Sequence, residues 1–245
     1  APGQYEINLH HVDDPLAAAD NAQLLKQTIK NVAQKHGLLA SFMAKPFGER
    51  EGNGFHTHVS LLDREGRNVF DDGTEAGSDT LRHAIAGLAG AMADSMLLFA
   101  PHRNSYRRLQ CGVHGPLVPN WGYENRYVAM RIPNGEAAAR RIEHRIAGAD
   151  ANPYLSLAAI LAGILHGIES RNEPEPPTKA EPGKPEATLP ASWEAALAEF
   201  ERSAFIRDAL GADFQRAMAA IKRVEQEQFQ ARVSPLEYDT YLVLA

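Results

Sequence analysis

Cysteine is all but missing from this chain: among 245 residues only Cys111 carries a thiol, so no internal disulfide is possible. A lone thiol suits a reducing compartment such as the cytoplasm. Aromatic residues make up only 7%. No run of five basic residues occurs, and the net charge of −6 argues against a general nucleic-acid binder. No stretch of 18 consecutive apolar residues is present, so no membrane-spanning helix is expected. A positively charged and then apolar leader is also missing, so no secretory signal is expected. The chain has no initiator Met, and Ala1-Pro2-Gly3 runs straight into a chemistry-bearing stretch, so an upstream region is expected. With 44% hydrophobic residues, the chain can bury a sizeable core as one domain or two small ones.

What is present gathers around Gly-Asn-Gly-Phe-His-Thr-His-Val-Ser-Leu, residues 52–61. His56, His58 and Ser60 alternate with Phe55, Thr57, Val59 and Leu61, the period of a half-buried strand. Two imidazoles and a hydroxyl then share one face, an arrangement that presents ligands to a metal or donors to a phosphate. A strand with two idle surface histidines fits the same pattern. Two further stretches shift the balance. Gln4, Glu6 and Asn8 alternate with Tyr5, Ile7 and Leu9, and Arg141, Glu143 and Arg145 alternate with Ile142 and His144. Ordinary ion-paired surface strands would look alike. Three such strands favour one site built from Glu6, His56 and Glu143 with arginines around it.

Along the chain, Asp14-Pro15 predicts a helix start, with a helix over 16–36 stopped by Gly37. Its lysines 26 and 30, like Arg64, read as solvated. A strand is expected over 38–45, and residues 64–68 read as a hairpin turn into Val69-Phe70. A second helix covers 79–99. Residues 104–121 read as a polar loop, followed by strands over 126–132 and 141–145. Arg126 and Arg131 are five apart, which places Arg126 in the turn before the regular strand. Asn152-Pro153 opens a helix to about 169. Six of the fifteen prolines fall within 172–190, an extended connection. Helices over 192–210 and 213–231 follow, and Ser234-Pro235 caps a last short one. No internal repeat is evident.

Seven segments together resemble the catalytic domain of the glutamine synthetase family: 3–9, 42–47, 52–61, 104–109, 125–133, 140–145 and 149–155. They cover about residues 1–170 in the family's order, and 171–245 match loosely. Asn-Leu-His-His-Val, Met-Ala-Asp-Ser-Met and the run from Glu143 to Leu155 are closest to the γ-glutamylpolyamine (γ-glutamylputrescine) synthetase branch. The resemblance implies an α+β fold, with a curved antiparallel sheet holding the site on its concave face and helices outside. Residues 1–245 would be one catalytic domain, incomplete at its N-terminus. It implies an ATP-dependent ligase: glutamate is phosphorylated on its γ-carboxylate, and an amine displaces phosphate to leave an amide.

By that resemblance Glu6 would bind one Mg2+ or Mn2+, and His56 with Glu143 the other. His58 and Ser60 would contact nucleotide, and Arg126 and Arg131 would clamp phosphates. Arg108 and Arg145 would hold the α-carboxylate or the γ-phosphoryl group, Gly52 would let the backbone approach substrate, and Arg108 and Arg126 would serve catalysis. No nucleic acid or membrane partner is implied. A ring-forming homo-oligomer is, in which a neighbour's N-terminal domain completes each site. That small domain and the family's other metal carboxylates have no match here. In ammonia-using relatives a flap glutamate helps deprotonate ammonium; His114 stands in its place, which favours a larger amine. A glutamine synthetase using ammonia, a nucleotide- or amine-binding homologue without turnover, and a metal hydrolase are the alternatives.

Overall fold

The computed structural model describes residues 1–109, 116–179 and 187–244. Its helices are α1 (Pro15–Lys35), α2 (Asp79–Phe99), α3 (Ser105–Leu109), α4 (Pro153–Ser170), α5 (Trp193–Arg202), α6 (Ala204–Leu210), α7 (Ala212–Gln230) and α8 (Pro235–Tyr241). Four short strands, β1 (Thr57–Val59), β2 (Trp121–Tyr123), β3 (Met130–Ile132) and β4 (Ile142–His144), form one sheet in the order β1-β4-β3-β2. The α+β class expected from sequence is the class observed. Pairing is antiparallel for β1–β4 and β3–β4, while β2–β3 is parallel.

The long helices start where their caps lie. Asp14 accepts from the Leu16 amide, Ser78 from Leu81, and Asn152 from Tyr154 and Leu155. Each such bond satisfies an amide the helix leaves orphaned, worth about 1 kcal/mol. α2 and α4 form the centre of the helical layer, and glycines let them touch backbone to backbone. A Cβ at Gly87 would lie 2.2 Å from the Gly163 carbonyl oxygen, and one at Gly167 would lie 2.1 Å from that of His83. α4 is long and apolar enough to cross a membrane by composition, yet its Ala159, Ile160 and Ile164 are buried in the core with Leu88 and Met92 of α2. Phe70, Phe99, Trp193 and Phe200 fill the rest of that core.

Several expectations change, among them the polar loop over 104–121, which opens on the helix α3 because Ser105 and Asn104 anchor a turn there. Residues 192–210 are two helices, because Ser203 leaves helical geometry and caps α6 on the Ile206 amide. Gln215 of α7 holds the break from outside, donating to the carbonyls of Phe200 and Ser203. Residues 38–45 form no strand. Neither do 4–9, since alternation without a partner strand makes no ladder; Tyr5 is 88% and Leu39 94% exposed. Both segments instead gather on Asn53, whose side chain accepts from Gln4 and donates to the Met43 carbonyl, and whose backbone amide donates to Ala44. The hairpin turn at 63–67 is present, with Asp63 accepting from the amides of Glu65 and Arg67, but Val69-Phe70 is a turn and not a strand, because Asn68 caps the Phe70 amide.

Lys26 is not on a solvated face. Its ammonium donates to the Ala151 carbonyl at 2.9 Å and stands 5.0 Å from the Phe55 ring, tying α1 to the start of α4. Burial pushes this ammonium down to about 8, against the pull of Asp150. Between about pH 8 and the ordinary value near 10.5, the unfolded chain therefore binds more protons than the folded one. Stability from this group rises with pH across that window. Lys26→Met keeps the packing and removes the titration. The variant's advantage over wild type should shrink by on the order of 1–2 kcal/mol between pH 7.5 and 10, read by urea unfolding.

Candidate active site

The register of the sheet assembles the polar face. His58 of β1 lies opposite Glu143 of β4, and Glu143 opposite Arg131 of β3. Directly opposed residues share a face, and so do neighbours two along. His56, His58 and Ser60 therefore meet Arg141, Glu143 and Arg145, with Arg131 beyond. The other face turns inward: Ile142, Met130 and Ile132 are buried, and the His144 ring lies 4.6 Å from that of Phe99. Burial pushes the His144 imidazole down to about 3, so it is neutral and belongs to the core.

Glu143 is the centre of this face and only 3% exposed. One oxygen accepts from Arg145 Nη1 at 2.5 Å and lies 3.2 Å from His56 Nδ1, and the other accepts from Arg131 Nη1 at 2.9 Å. Burial alone would raise the carboxyl's pKa. The His56 hydrogen bond, the Arg145 charge and the Arg131 bond outweigh it and hold the group far below the usual carboxylate range. Arg145 is fixed in turn by the Arg126 carbonyl, 3.2 Å from Nη2. His58 Nδ1 accepts from Arg141 Nε at 3.1 Å, so its other nitrogen carries the proton. Its imidazole is pushed down, chiefly by burial and also by the nearby Arg141.

Arg108 is placed differently. Its guanidinium donates to the carbonyls of Ile146 at 2.7 Å and Arg145 at 3.2 Å, and burial pushes it down to about 10. Gly52 makes room for it: a Cβ there would lie 2.8 Å from both Arg108 Cγ and the Ala44 carbonyl oxygen. α3, which carries Arg108, is pinned by Ser105 donating to Asp150 at 2.6 Å and by the Asn104 amide bonding both backbone groups of Lys45. Arg126 is exposed in the turn before β3, where its spacing from Arg131 put it. Ser60 is exposed beyond β1, and His114 and Cys111 lie outside the described residues.

Glu6 is exposed in the segment before α1. Among the described residues no three His, Cys, Asp or Glu side chains converge as a metal site. His56 Nδ1 and Glu143 Oε1 do, as a pair, at 3.2 Å. Two neighbouring ligands of an octahedral ion, each about 2.1 Å from it, lie about 3 Å apart, so this nitrogen–oxygen pair fits two positions of one divalent cation. Two participants were not foreseen. Arg141 read only as a flanking charge, and Glu124, which accepts from Arg131 Nη2 with both oxygens at 3.1 and 3.0 Å, gave no signal beyond an acid beside the Asn125-Arg126 motif.

A family model described as "Glutamine synthetase, catalytic domain" matches residues 1–241. The chain belongs to the glutamine synthetase family. Gamma-glutamylputrescine synthetase PuuA of Escherichia coli is 42% identical to this family member over 99% of the chain and 52% of its own length. Glutamate–isopropylamine ligase of a Pseudomonas species is 38% identical over 98% of the chain and 54% of its own. The solved structure "Apo GmaS without ligand" aligns with TM-score 0.84 at 34% identity, covering 94% of this chain and 54% of that one. This glutamine synthetase family chain thus spans about half the length of the relatives it matches. Three of the seven segments that carry the resemblance build the polar sheet face: 52–61 supplies β1, 125–133 supplies β3, and 140–145 supplies β4.

Proposed function

We propose that this protein is an ATP-dependent ligase that forms a γ-glutamyl amide from glutamate and an amine larger than ammonia. The observation that carries the proposal is the Glu143 cluster, one buried carboxylate among His56, Arg131 and Arg145 on an open sheet face of a glutamine synthetase family member. Such a face suits a reaction between anions, where catalysis consists mainly of positioning and charge neutralisation. In the first step a γ-carboxylate oxygen of glutamate attacks the terminal phosphorus of ATP and ADP leaves. In the second the amine nitrogen attacks the acyl carbon, phosphate leaves, and the nitrogen gives up a proton.

The residue roles proposed are those that the family resemblance implies. Arg131 and Arg126 hold the phosphates of the nucleotide, and His58 and Ser60 line its path along β1. Arg145 and Arg108 face the glutamate and its γ-phosphoryl group, Arg108 by shifting a donor from the carbonyls it now meets or by fixing their backbone. Gly52 keeps that turn close to Arg108. His56 and Glu143 would hold one Mg2+ or Mn2+, and Glu6 a second. Bound there, a divalent cation supplies neutralisation of the phosphate oxygens. The protein at its natural length works in the cytoplasm as a ring-forming homo-oligomer, with the site completed by a neighbouring subunit. The 245 residues alone are expected to turn over nothing.

The amine is argued from His114. A neutral imidazole offers ammonium no anionic pocket and no strong proton acceptor, whereas a carboxylate offers both. His114→Glu in the protein at its natural length should raise the ratio of specificity constants for ammonium over a diamine by about 10-fold. An unchanged ratio removes His114 from amine selection. A wild type that prefers ammonium outright makes the protein a glutamine synthetase in the strict sense.

A further inference from the structure

Arg131 is not held by Glu143 alone. Its Nη1 donates to Glu143 Oε2 at 2.9 Å, while Nη2 reaches both oxygens of Glu124, at 3.0 and 3.1 Å. The guanidinium is therefore spread between two carboxylates, one buried beneath the site and one on its rim. Glu124 is no loose surface acid. It follows β2 with φ +50, in the left-handed region that side chains other than glycine rarely adopt. Two bonds keep it there. Its amide donates to the Ile132 carbonyl at 3.0 Å, and its carboxylate accepts from the Asn134 amide. The first continues the parallel β2–β3 pairing one residue past β2, and the second holds the carboxylate beside Arg131. The Asn134 amide is the larger influence, ahead of Arg131, in keeping the Glu124 carboxyl ionised.

An exposed acid paired with an arginine usually contributes little. Three features set this pair apart. Both carboxylate oxygens meet the one Nη2, the acid stands on a fixed and strained turn, and the arginine's Nη1 is committed to the central carboxylate of the site. A long arginine side chain loses rotamer freedom whenever it must meet an anion in one geometry. A second anchor removes that loss before the anion arrives. The Glu124 charge also offsets part of the surplus left where two guanidiniums meet the single carboxylate of Glu143.

We propose that Glu124 is a positioning residue: it braces Arg131 so that this guanidinium presents its remaining N–H donors to the nucleotide phosphates in one orientation. This rests on the function proposed above and adds to it a residue that touches no substrate itself. Its reach is specific to anion binding through Arg131. Glu124 is not expected to influence the His56–Glu143 pair, which Arg145 supports from the other side.

The test uses the protein at its natural length with MgADP as probe, titrated calorimetrically. Glu124→Ala should weaken binding about 10-fold and the near-isosteric Glu124→Gln about 3-fold, because the amide still accepts one bond but loses the charge that assists it. In an Arg131→Met background, which leaves Glu124 no cation to hold, Glu124→Ala should change binding less than 2-fold, the sign of two residues acting through one contact. Equal weakening in both backgrounds, or no weakening in either, would overturn the brace. A crystal structure of Glu124→Ala decides the same point without any nucleotide: the Arg131 Nη2 end should turn away from its present position or occupy more than one conformer while Nη1 stays on Glu143, and an unmoved Arg131 overturns the proposal. A wild type that binds no MgADP refutes the ligase reading instead, and the crystallographic arm still decides the brace.

Discussion

Glu143→Gln should cut ATP-dependent phosphate release by at least about 100-fold, the largest catalytic loss expected from any single substitution in the cluster. Glutamine keeps the volume and one acceptor oxygen but takes away the charge that Arg131, Arg145 and His56 all address. Two buried or half-buried guanidiniums would then face each other with no carboxylate between them. Removing one member of such a buried network costs about 3–5 kcal/mol, because the remaining charges stay desolvated and unpaired. Part of that cost appears as lost stability and part as lost order in the site. Phosphate release at saturating ATP, together with the thermal midpoint, separates the two. Wild-type turnover by Glu143→Gln at ordinary Mg2+ levels would show that the chemistry happens elsewhere.

The largest stability loss is expected at Gly167. A Cβ there would sit 2.1 Å from the His83 carbonyl oxygen and 2.7 Å from the Gly87 backbone, and neither can give way without separating α2 from α4. Overpacking against side chains costs about 1–3 kcal/mol, and against backbone the upper end or more applies. For a chain of this size that is a fall of about 10 °C in the thermal midpoint of Gly167→Ala. Gly90 is the matched control, also in a helix but with nothing within 4 Å of its Cβ position. Gly90→Ala should raise stability by about 0.5–1 kcal/mol, since alanine is the better helix former. Equal effects at the two positions would mean that the α2–α4 contact is looser than its geometry states.

Much of the fold and of the site is legible in the residues themselves wherever local rules govern. The alternation through residues 52–61 puts His56, His58 and Ser60 on one face, and the β1–β4 register keeps them on the face of Glu143. Asp14, Ser78 and Asn152 stand at the helix starts, because capping depends on neighbours within three residues. What escapes a local reading needs distant partners. The alternation over 4–9 has no strand beside it among the described residues, and the carbonyls of Phe200 and Ser203 at the break between α5 and α6 are met by Gln215, a helix away. Lys26 looks solvated in the sequence because its partner, Ala151, is 125 residues on. Glu124 reaches Arg131 only through a left-handed turn that residue types do not announce. The Gly163-x-x-x-Gly167 spacing is plain in the sequence, but its meaning comes only with α2 laid across it.

The central claim is that the Glu143 face serves a ligase joining glutamate to an amine. One measurement meets it directly: phosphate release from ATP by the protein at its natural length, with glutamate and each of a panel of amines, followed by mass analysis of the product. Release should require both glutamate and amine, be fastest with an amine larger than ammonia, and yield the matching γ-glutamyl amide. Release that proceeds without glutamate, or none with any amine in the panel, would contradict the account.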